Sequence, residues 1–102
     1  MIILNTTFYV HKSVDEQFRQ WVSGQYFPSA IADGKLTEPS LAKILVEPQE
    51  GMAGYAVQLI AEDVASTQSW RDIHAADLRG QLGQKFGQRV LFFTTYMEKL
   101  MS

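Results

Sequence analysis

The chain has 102 residues, of which 46% are apolar and 20% are charged, with a formal net charge of -2. This length fits one domain, residues 1–102, and the apolar fraction excludes a disordered chain. The absence of cysteine excludes disulfides, thiolate nucleophiles and cysteine-based zinc sites. Lys and Arg number 9 against 11 Asp and Glu, which leaves no basic footprint for nucleic acid. No apolar run is long enough for a membrane span or a secretory signal, so we expect a cytoplasmic protein.

The first part of the chain predicts a strand followed by a helix. Residues 2–10 are rich in β-branched and aromatic side chains and contain neither Gly nor Pro, which is typical of a strand. Ser13, with Glu16 three positions later, forms a capping-box pattern that predicts a helix start. Pro28 predicts a kink or restart at Phe27, and Gly34 predicts the helix end. The apolar stripe of this helix consists of Val14, Phe18, Trp21, Val22 and Gln25.

The second part predicts a hairpin, a long helix and a last strand. Strand-like runs at 40–47 and 54–62 flank a turn-rich segment, which predicts an antiparallel hairpin with a loose tip. Asp63 or Ser66 can cap a second helix, which is expected to reach about Phe86 and to end at Gly87. Residues 89–97 predict the final strand. One row of the second helix, with a spacing of four residues, consists of Trp70, His74, Leu78, Leu82 and Phe86.

The order strand, helix, strand, strand, helix, strand predicts an α+β fold of the ferredoxin-like βαββαβ type. Right-handed crossovers place both helices on one face of a four-stranded antiparallel sheet. Neither face of this sheet has the charge pattern of a solvated surface, since Lys43 is almost the only charge within the strands. An open apolar face exceeds what monomers usually expose. We therefore expect a homodimer that packs sheet against sheet.

Three segments carry a resemblance to a known group of proteins: residues 2–10 (IILNTTFYV), 70–74 (WRDIH) and 86–95 (FGQRVLFFTT). They resemble a group of short bacterial proteins of unknown function, over nearly the whole chain. That group is similar to the dimeric α/β-barrel superfamily, which includes cofactor-independent antibiotic-biosynthesis-type monooxygenases and haem-degrading enzymes. The resemblance implies a ferredoxin-like fold and a dimer. It leaves the chemistry open, because one fold hosts many functions.

The resemblance also implies three candidate ligand-binding residues, Asn5, Trp70 and His74. The haem-degrading enzymes use an Asn on the first strand and a Trp and a His on or near the second helix, and these residues stand at comparable places. Here Trp70 and His74 lie one helical turn apart, closer than the pair in those enzymes. Asn5 reaches a pocket beneath the helices only if the odd-numbered side of the first strand faces inward.

His74 is the candidate catalytic residue, because an imidazole can transfer protons near neutral pH. The alternative is a core histidine bonded to a backbone carbonyl. Trp21 is expected to be a core side chain. The sequence has no metal-ligand or phosphate-loop motif, so we expect no metal and no cofactor, with haem as the alternative.

Three functions remain open at this point. The first is a homodimer that binds a small apolar or aromatic ligand between sheet and helices, with Trp70 and His74 on the helical wall. The second is a monooxygenase-like or haem-degrading-like enzyme in which His74 moves protons and Asn5 orients the substrate. The third is a structural or regulatory interaction module for which the sheet dimer is the whole purpose.

Overall fold

The computed structural model describes residues 1–101 and contains one antiparallel sheet of four strands. The strands are β1 (Ile2–His11), β2 (Leu36–Ile44), β3 (Met52–Ala61) and β4 (Val90–Glu98). Their order across the sheet is β2-β3-β1-β4, so the first and third strands are central. This order, with the helices between β1 and β2 and between β3 and β4, confirms the predicted ferredoxin-like fold.

Two helical segments cover one face of the sheet, and each contains a π-helical turn between two α-helices. The first segment comprises α1 (Asp15–Trp21), a π turn (Val22–Tyr26) and α2 (Phe27–Ile31). The second comprises α3 (Val64–Trp70), a π turn (Arg71–Ala75) and α4 (Ala76–Phe86). The predicted break at Phe27 is wrong, since Phe27 has helical backbone angles and the segment continues through it. Pro28 stands in the first turn of α2, where a missing amide hydrogen is tolerated.

Most predicted helix ends are confirmed, but one cap is wrong. Asp63 Oδ1 accepts a hydrogen bond of 2.8 Å from the Ser66 amide and caps α3. Gly34 and Gly87 follow the two helical segments with φ values of +78° and +57°, which favour glycine. Ser13 does not cap α1. Its hydroxyl contacts His11 Nδ1 at 2.8 Å inside a short 3₁₀ turn, and α1 begins after this turn.

The predicted bounds of β2 are wrong by several residues. The strand begins at Leu36, before Pro39, and ends at Ile44. Pairing with β3 is irregular between Thr37 and Ser40, and Glu38 in this interval has a φ of +53°. β2 lies at the sheet edge, where a bulge can accommodate a proline that has no amide hydrogen to donate. Pro39 therefore lies inside the strand instead of preceding it.

The even-numbered residues of β1 face the helices and the odd-numbered residues face away. Ile2, Leu4, Thr6, Phe8 and Val10 are all buried, at 8% exposure or less. The opposite side, which we call the open face, has no helix over it and is partly exposed. Among the described residues, no side chain at a strand position of the open face carries a full charge. The residues of the open face include Ile3, Asn5, Thr7, Tyr9, Ala42, Ile44, Ala56, Gln58, Ile60, Leu91, Phe93, Thr95 and Met97.

Candidate functional site

A cavity lies between the helix-facing side of the sheet and the two helical segments. It measures about 50 Å³, and together with the mouth in front of it the space is about 360 Å³. Aromatic and aliphatic side chains make up most of its wall, so it can hold a few apolar atoms and a larger group can extend into the mouth. The wall consists of Thr6, Phe8, Trp21, Tyr26, Trp70, Ala75, Leu78, Arg79, Leu82, Phe92 and Thr94.

The two π turns give the cavity its helical wall. A π turn is closed by hydrogen bonds between residues five apart, so residues five apart face the same side. In the first segment this relation brings Tyr26 beneath Trp21, with ring centroids 5.3 Å apart. In the second segment the same relation holds for Trp70 and Ala75, and both line the cavity. The two helical segments thus contribute corresponding pairs to one site.

Two buried hydrogen-bond donors in this wall have no acceptor. Trp21 and Trp70 are 3% and 5% exposed. Within residues 1–101, neither indole nitrogen has a hydrogen-bond partner. Buried N–H groups are normally paired, and leaving one unpaired costs roughly 1–3 kcal/mol. The nitrogen atoms themselves have almost no accessible surface, so these unpaired donors are a feature of the packed core behind the cavity wall.

Three hydroxyl groups add polarity to the sheet side of the cavity. The side-chain oxygens of Thr6 and Thr94 lie 3.2 Å apart and share a hydrogen bond between β1 and β4. Burial raises the pKa of Tyr26 to about 12, although a hydrogen bond from Thr6 partly offsets the effect. Tyr26 is therefore a neutral hydroxyl at physiological pH. The site presents it as a donor and not as a phenolate.

One cation lies at the edge of the wall. The Arg79 guanidinium stands over the Phe92 ring, 5.8 Å from the ring centroid. Both residues line the cavity, and Arg79 is exposed. When a guanidinium lies against an aromatic ring, its N–H donors stay in one plane, and they remain available to a ligand.

The prediction that His74 shares the inner stripe with Trp70 is wrong. The π turn rotates the chain so that Ala75, five residues after Trp70, lines the cavity, and His74 lies to one side. His74 Nε2 lies 3.2 Å from Asp33 Oδ2, and its side chain is 27% exposed. Its ring still neighbours Trp70, with centroids 6.2 Å apart. His74 thus joins the second helical segment to the loop after α2.

Asp33 has a second contact besides the one with His74. The Lys35 backbone amide donates to its Oδ1 at 3.1 Å and, as the largest cause, lowers the pKa of Asp33; the contact with His74 lowers it further. The Lys35 ammonium in turn contacts Ser69 on α3. These contacts hold two elements together at the surface, outside the cavity wall.

The structure does not bring Asn5 together with Trp70 and His74. Asn5 has an odd number in β1 and therefore lies on the open face, away from the helices. Its amide group accepts from Gln58 Nε2 at 3.2 Å and donates to Thr7 Oγ1 at 3.3 Å. Asn5 cannot orient a ligand held under the helices of its own chain. Of the three candidate residues, Trp70 alone lines the cavity.

Sequence reasoning missed Thr6, Tyr26 and Arg79. A usable signal existed for Thr6, which is the one polar residue in the otherwise apolar row Ile2, Leu4, Phe8 and Val10. A polar side chain in the middle of such a row needs a partner and so indicates a polar spot in the core. Tyr26 and Arg79 had no comparable signal, because the π turns shift the helical stripes.

The residues of this site do not fit haem. A porphyrin needs a wide slot and an axial ligand, whereas the cavity here measures about 50 Å³. His74 is bound to Asp33 and is not part of the wall. Within residues 1–101, no three His, Cys, Asp or Glu side chains come together as a metal site. In the same range, no helix has the length and apolar character that crossing a lipid bilayer requires.

Solved structures with the same fold are distant in sequence. A protein from Deinococcus radiodurans, described as a "putative antibiotic biosynthesis monooxygenase", aligns with a TM-score of 0.71 and 12% identity, over 100% of this chain and 95% of that one. A dimeric ferredoxin-like protein from an uncultured marine organism aligns with a TM-score of 0.70 and 11% identity, over 100% and 97%. An ethyl tert-butyl ether degradation (EthD) family protein from Bacillus halodurans aligns with a TM-score of 0.66 and 15% identity, over 98% and 100%.

These alignments establish the class: a ferredoxin-like α+β protein whose structural neighbours include dimeric and monooxygenase-type members. The chain belongs to the family described as "Domain of unknown function (DUF4286)", whose sequence pattern matches residues 1–100. No curated protein sequence matches the chain. At these identities the neighbours share the fold, and their activities are properties of those proteins.

Proposed function

We propose that the protein is a homodimer that binds a small, mainly apolar or aromatic molecule in the cavity between sheet and helices. The observation that carries this proposal is the partly open cavity itself, whose wall is mainly aromatic and aliphatic and includes both tryptophans of the chain. A purely structural core would be expected to fill such a space with its own side chains.

The wall matches a ligand with an aromatic or alkyl body. Phe8 and Phe92 lie 5.7 Å apart between ring centroids and cover the sheet side. The indoles and Leu78 cover the helical side. Rings offer large contact area at low entropic cost, and ligand sites in proteins are typically apolar with a few placed polar groups. The enclosed volume admits one end of such a molecule, and the remainder would occupy the mouth.

The proposal is tested by filling the cavity. In Ala75→Leu, three added carbon atoms would take up space in the wall, whereas Ala76→Leu adds the same atoms one residue away at an exposed position outside it. Native mass spectrometry of gently purified protein should show a reproducible small-molecule increment on the wild type and on Ala76→Leu. The increment should be absent from Ala75→Leu. Circular dichroism would establish that both variants are folded.

Two results would count against the proposal. An increment that persists in Ala75→Leu would place the ligand elsewhere. Wild-type protein without any increment, and without response to added small aromatic molecules, would remove the evidence for a ligand. A doubled mass with an empty cavity would instead favour the structural or regulatory interaction module.

The open face supports the homodimer. At 50% and 52% exposure, Leu91 and Phe93 on β4 are unusual for an isolated globular surface. The side chains of Asn5 and Gln58 form a hydrogen bond with each other across β1 and β3. These polar groups at the centre of the open face therefore have a protein partner and do not depend on water for this hydrogen bond. A second copy of the chain offers the same uncharged surface and can cover it symmetrically. The neighbour described as a dimeric ferredoxin-like protein provides independent support.

A charge on the open face should separate the subunits. Phe93→Glu would place a carboxylate in the sheet-to-sheet contact and should convert a dimer into a monomer. Ile73→Glu is the matched control, because Ile73 is similarly exposed, at 60%, but lies on the helical side of the molecule. Sedimentation velocity over a hundredfold concentration range measures the outcome. A wild type with monomer mass at all concentrations would overturn the dimer.

The cavity does not favour the monooxygenase-like alternative over simple binding. Cofactor-independent oxygen chemistry requires removal of a proton from the substrate, and the described residues of the wall include no carboxylate and no imidazole. His74, the candidate base, is held by Asp33 outside the wall. An enzymatic role would therefore require a substrate that ionises in solution. For this reason binding is the function that the geometry supports best.

A further inference from the structure

We propose that the ligand is an oxyanion, a small molecule with a carboxylate or an ionised hydroxyl group on an apolar body, and that Arg79 recognises its oxygen atoms. This inference rests on the proposed function, since it names the chemistry of the molecule that occupies the same cavity. The inference goes beyond apolar complementarity, because it specifies the charge of the ligand and the residue that binds the charged group.

The charge balance of the wall is positive. Arg79 is the one charged side chain among the described residues that line the cavity, and it forms no ion pair within residues 1–101. A guanidinium binds both oxygens of a carboxylate at once through its planar fork.

The wall offers a ligand no stronger donor than Arg79. Thr6 and Thr94 share a hydrogen bond with each other across β1 and β4. Oxyanions are the strongest common acceptors, and they form their strongest hydrogen bonds with a charged donor such as a guanidinium.

The apolar wall adds a second selection. Arg79 is exposed at the edge of the cavity, so it attracts an anionic group there while the apolar body of the ligand contacts the wall. The same surroundings penalise a cation, which would meet like charge and no carboxylate. A neutral ring of equal shape gains the apolar contacts alone. Three probes of one shape and different charge therefore separate these contributions.

The test uses benzoate, benzamide and benzylamine, which share one ring and differ in charge at pH 7. Intrinsic fluorescence is a direct reporter of binding, because the chain has 2 tryptophans and both line the cavity. The two indole ¹H–¹⁵N signals provide a second reporter that responds to hydrogen bonding. Benzoate should bind at least about tenfold more tightly than benzamide, as a charged hydrogen-bonded pair does relative to a neutral one. Benzylamine should bind more weakly than benzamide.

Arg79→Gln should remove this preference, with benzoate losing about tenfold in affinity and benzamide little changed. Arg71→Gln is the matched control. Arg71 also lies over an aromatic ring, 5.4 Å from the centroid of Tyr96, but it is not part of the cavity wall. The Arg71→Gln protein should bind all three probes with the affinities of the wild type.

The outcomes distinguish failure of this inference from failure of the proposed function. If benzamide binds as tightly as benzoate, or if Arg79→Gln keeps the preference for benzoate, the cavity binds ligands but the oxyanion inference is wrong. If none of the three probes changes the fluorescence or the indole signals up to millimolar concentration, the proposed ligand site itself is wrong. Benzoate preference that disappears in Arg79→Gln and persists in Arg71→Gln supports both.

Discussion

His74 and Trp70 show how neighbouring residues on one helical segment can have different roles. Trp70 is buried in the cavity wall with an unpaired N–H, whereas His74 faces Asp33 at the surface. The pair His74–Asp33 links the second helical segment to the loop after α2. Exposed ion pairs of this kind typically contribute less than about 1 kcal/mol. The structure therefore gives His74 a connecting role outside the cavity wall.

Tyr26 is the residue whose ionisation should be visible in the stability of the protein. Its pKa is raised from 10.0 to about 12 by burial. Below pH 10 the hydroxyl is protonated in both the folded and the unfolded chain, so it causes no pH dependence. Between pH 10 and 12 the unfolded chain loses this proton and the folded chain keeps it. The free energy of unfolding should therefore fall as pH rises through this window, by on the order of 2 kcal/mol from this group.

Tyr26→Phe tests this prediction, because phenylalanine keeps the ring and has no proton to lose. Urea unfolding at intervals from pH 8 to pH 12 should show a smaller alkaline loss of stability in Tyr26→Phe than in the wild type. The difference between the two curves should develop above pH 10. Curves that stay parallel to pH 12 would show that the hydroxyl ionises as freely in the folded protein as in the unfolded chain.

At the scale of elements, the π turns explain two errors with one cause. The helical period of the sequence placed Gln25 and His74 four residues after Trp21 and Trp70, on the inner stripe. In the structure the residues five after each tryptophan, Tyr26 and Ala75, occupy those places, and Gln25 is exposed. A π turn adds one residue to a helical turn, so the residue that lies one turn further along the same side is the fifth and not the fourth. A periodicity of 3.6 residues contains no sign of it.

The Asp63 cap is an element-scale contact that the sequence predicted and the structure confirms. The Ser66 amide, as the largest cause, lowers the pKa of Asp63, so the cap is strongest when the carboxylate is ionised and weakens as pH falls below about 4. Asp63→Ala should lower the melting temperature by a few degrees at pH 7, because the first turn of α3 loses an acceptor. Asp63→Asn keeps an acceptor oxygen and should lose less. Equal melting temperatures for all three proteins at pH 7 would contradict the capping role.

At the scale of the whole molecule, an aromatic cluster joins the sheet to both helical segments. Phe18 is fully buried at its centre, and its ring lies 4.9 Å from Phe8 on β1 and 5.4 Å from Tyr55 on β3, between centroids. It also meets Phe86 of α4 at 6.2 Å. One side chain thus connects four elements that are far apart in the chain. Such long-range contacts make the fold a single cooperative unit.

Phe18→Ala should destabilise the fold by roughly 3–5 kcal/mol, the cost of removing a buried aromatic ring and leaving a void among its neighbours. Phe18→Leu keeps most of the apolar volume and should cost clearly less. Equilibrium urea unfolding followed by fluorescence and by circular dichroism measures both. A loss below about 1 kcal/mol in Phe18→Ala would show that the neighbouring rings close over the gap and that this ring is not central.

The sequence predicted the order of elements because each depends on local patterns: β-branched runs, glycines after helices, and an Asp at a helix start. It predicted two apolar sheet faces for the same reason. It could not decide which face meets the helices, because both rows of β1 are largely apolar. Asn5 could lie beside Trp70 and His74 only if the odd-numbered side of β1 faced the helices. The sequence does not show which side faces them, and the packing of the helices on the sheet decides it.

The sequence by itself thus determined the ferredoxin-like class, the uncharged strands of the open face and the burial of Trp21, since these follow from composition and spacing along one strand or helix. The tertiary structure alone decided that Thr6, Tyr26 and Arg79 join the tryptophans around one cavity. It also decided that His74 stands outside this cavity. The physical reason is that a cavity wall depends on how strands and helices fit together in space, including one extra residue in each π turn. That fit is set by packing between elements and not by the period within any of them.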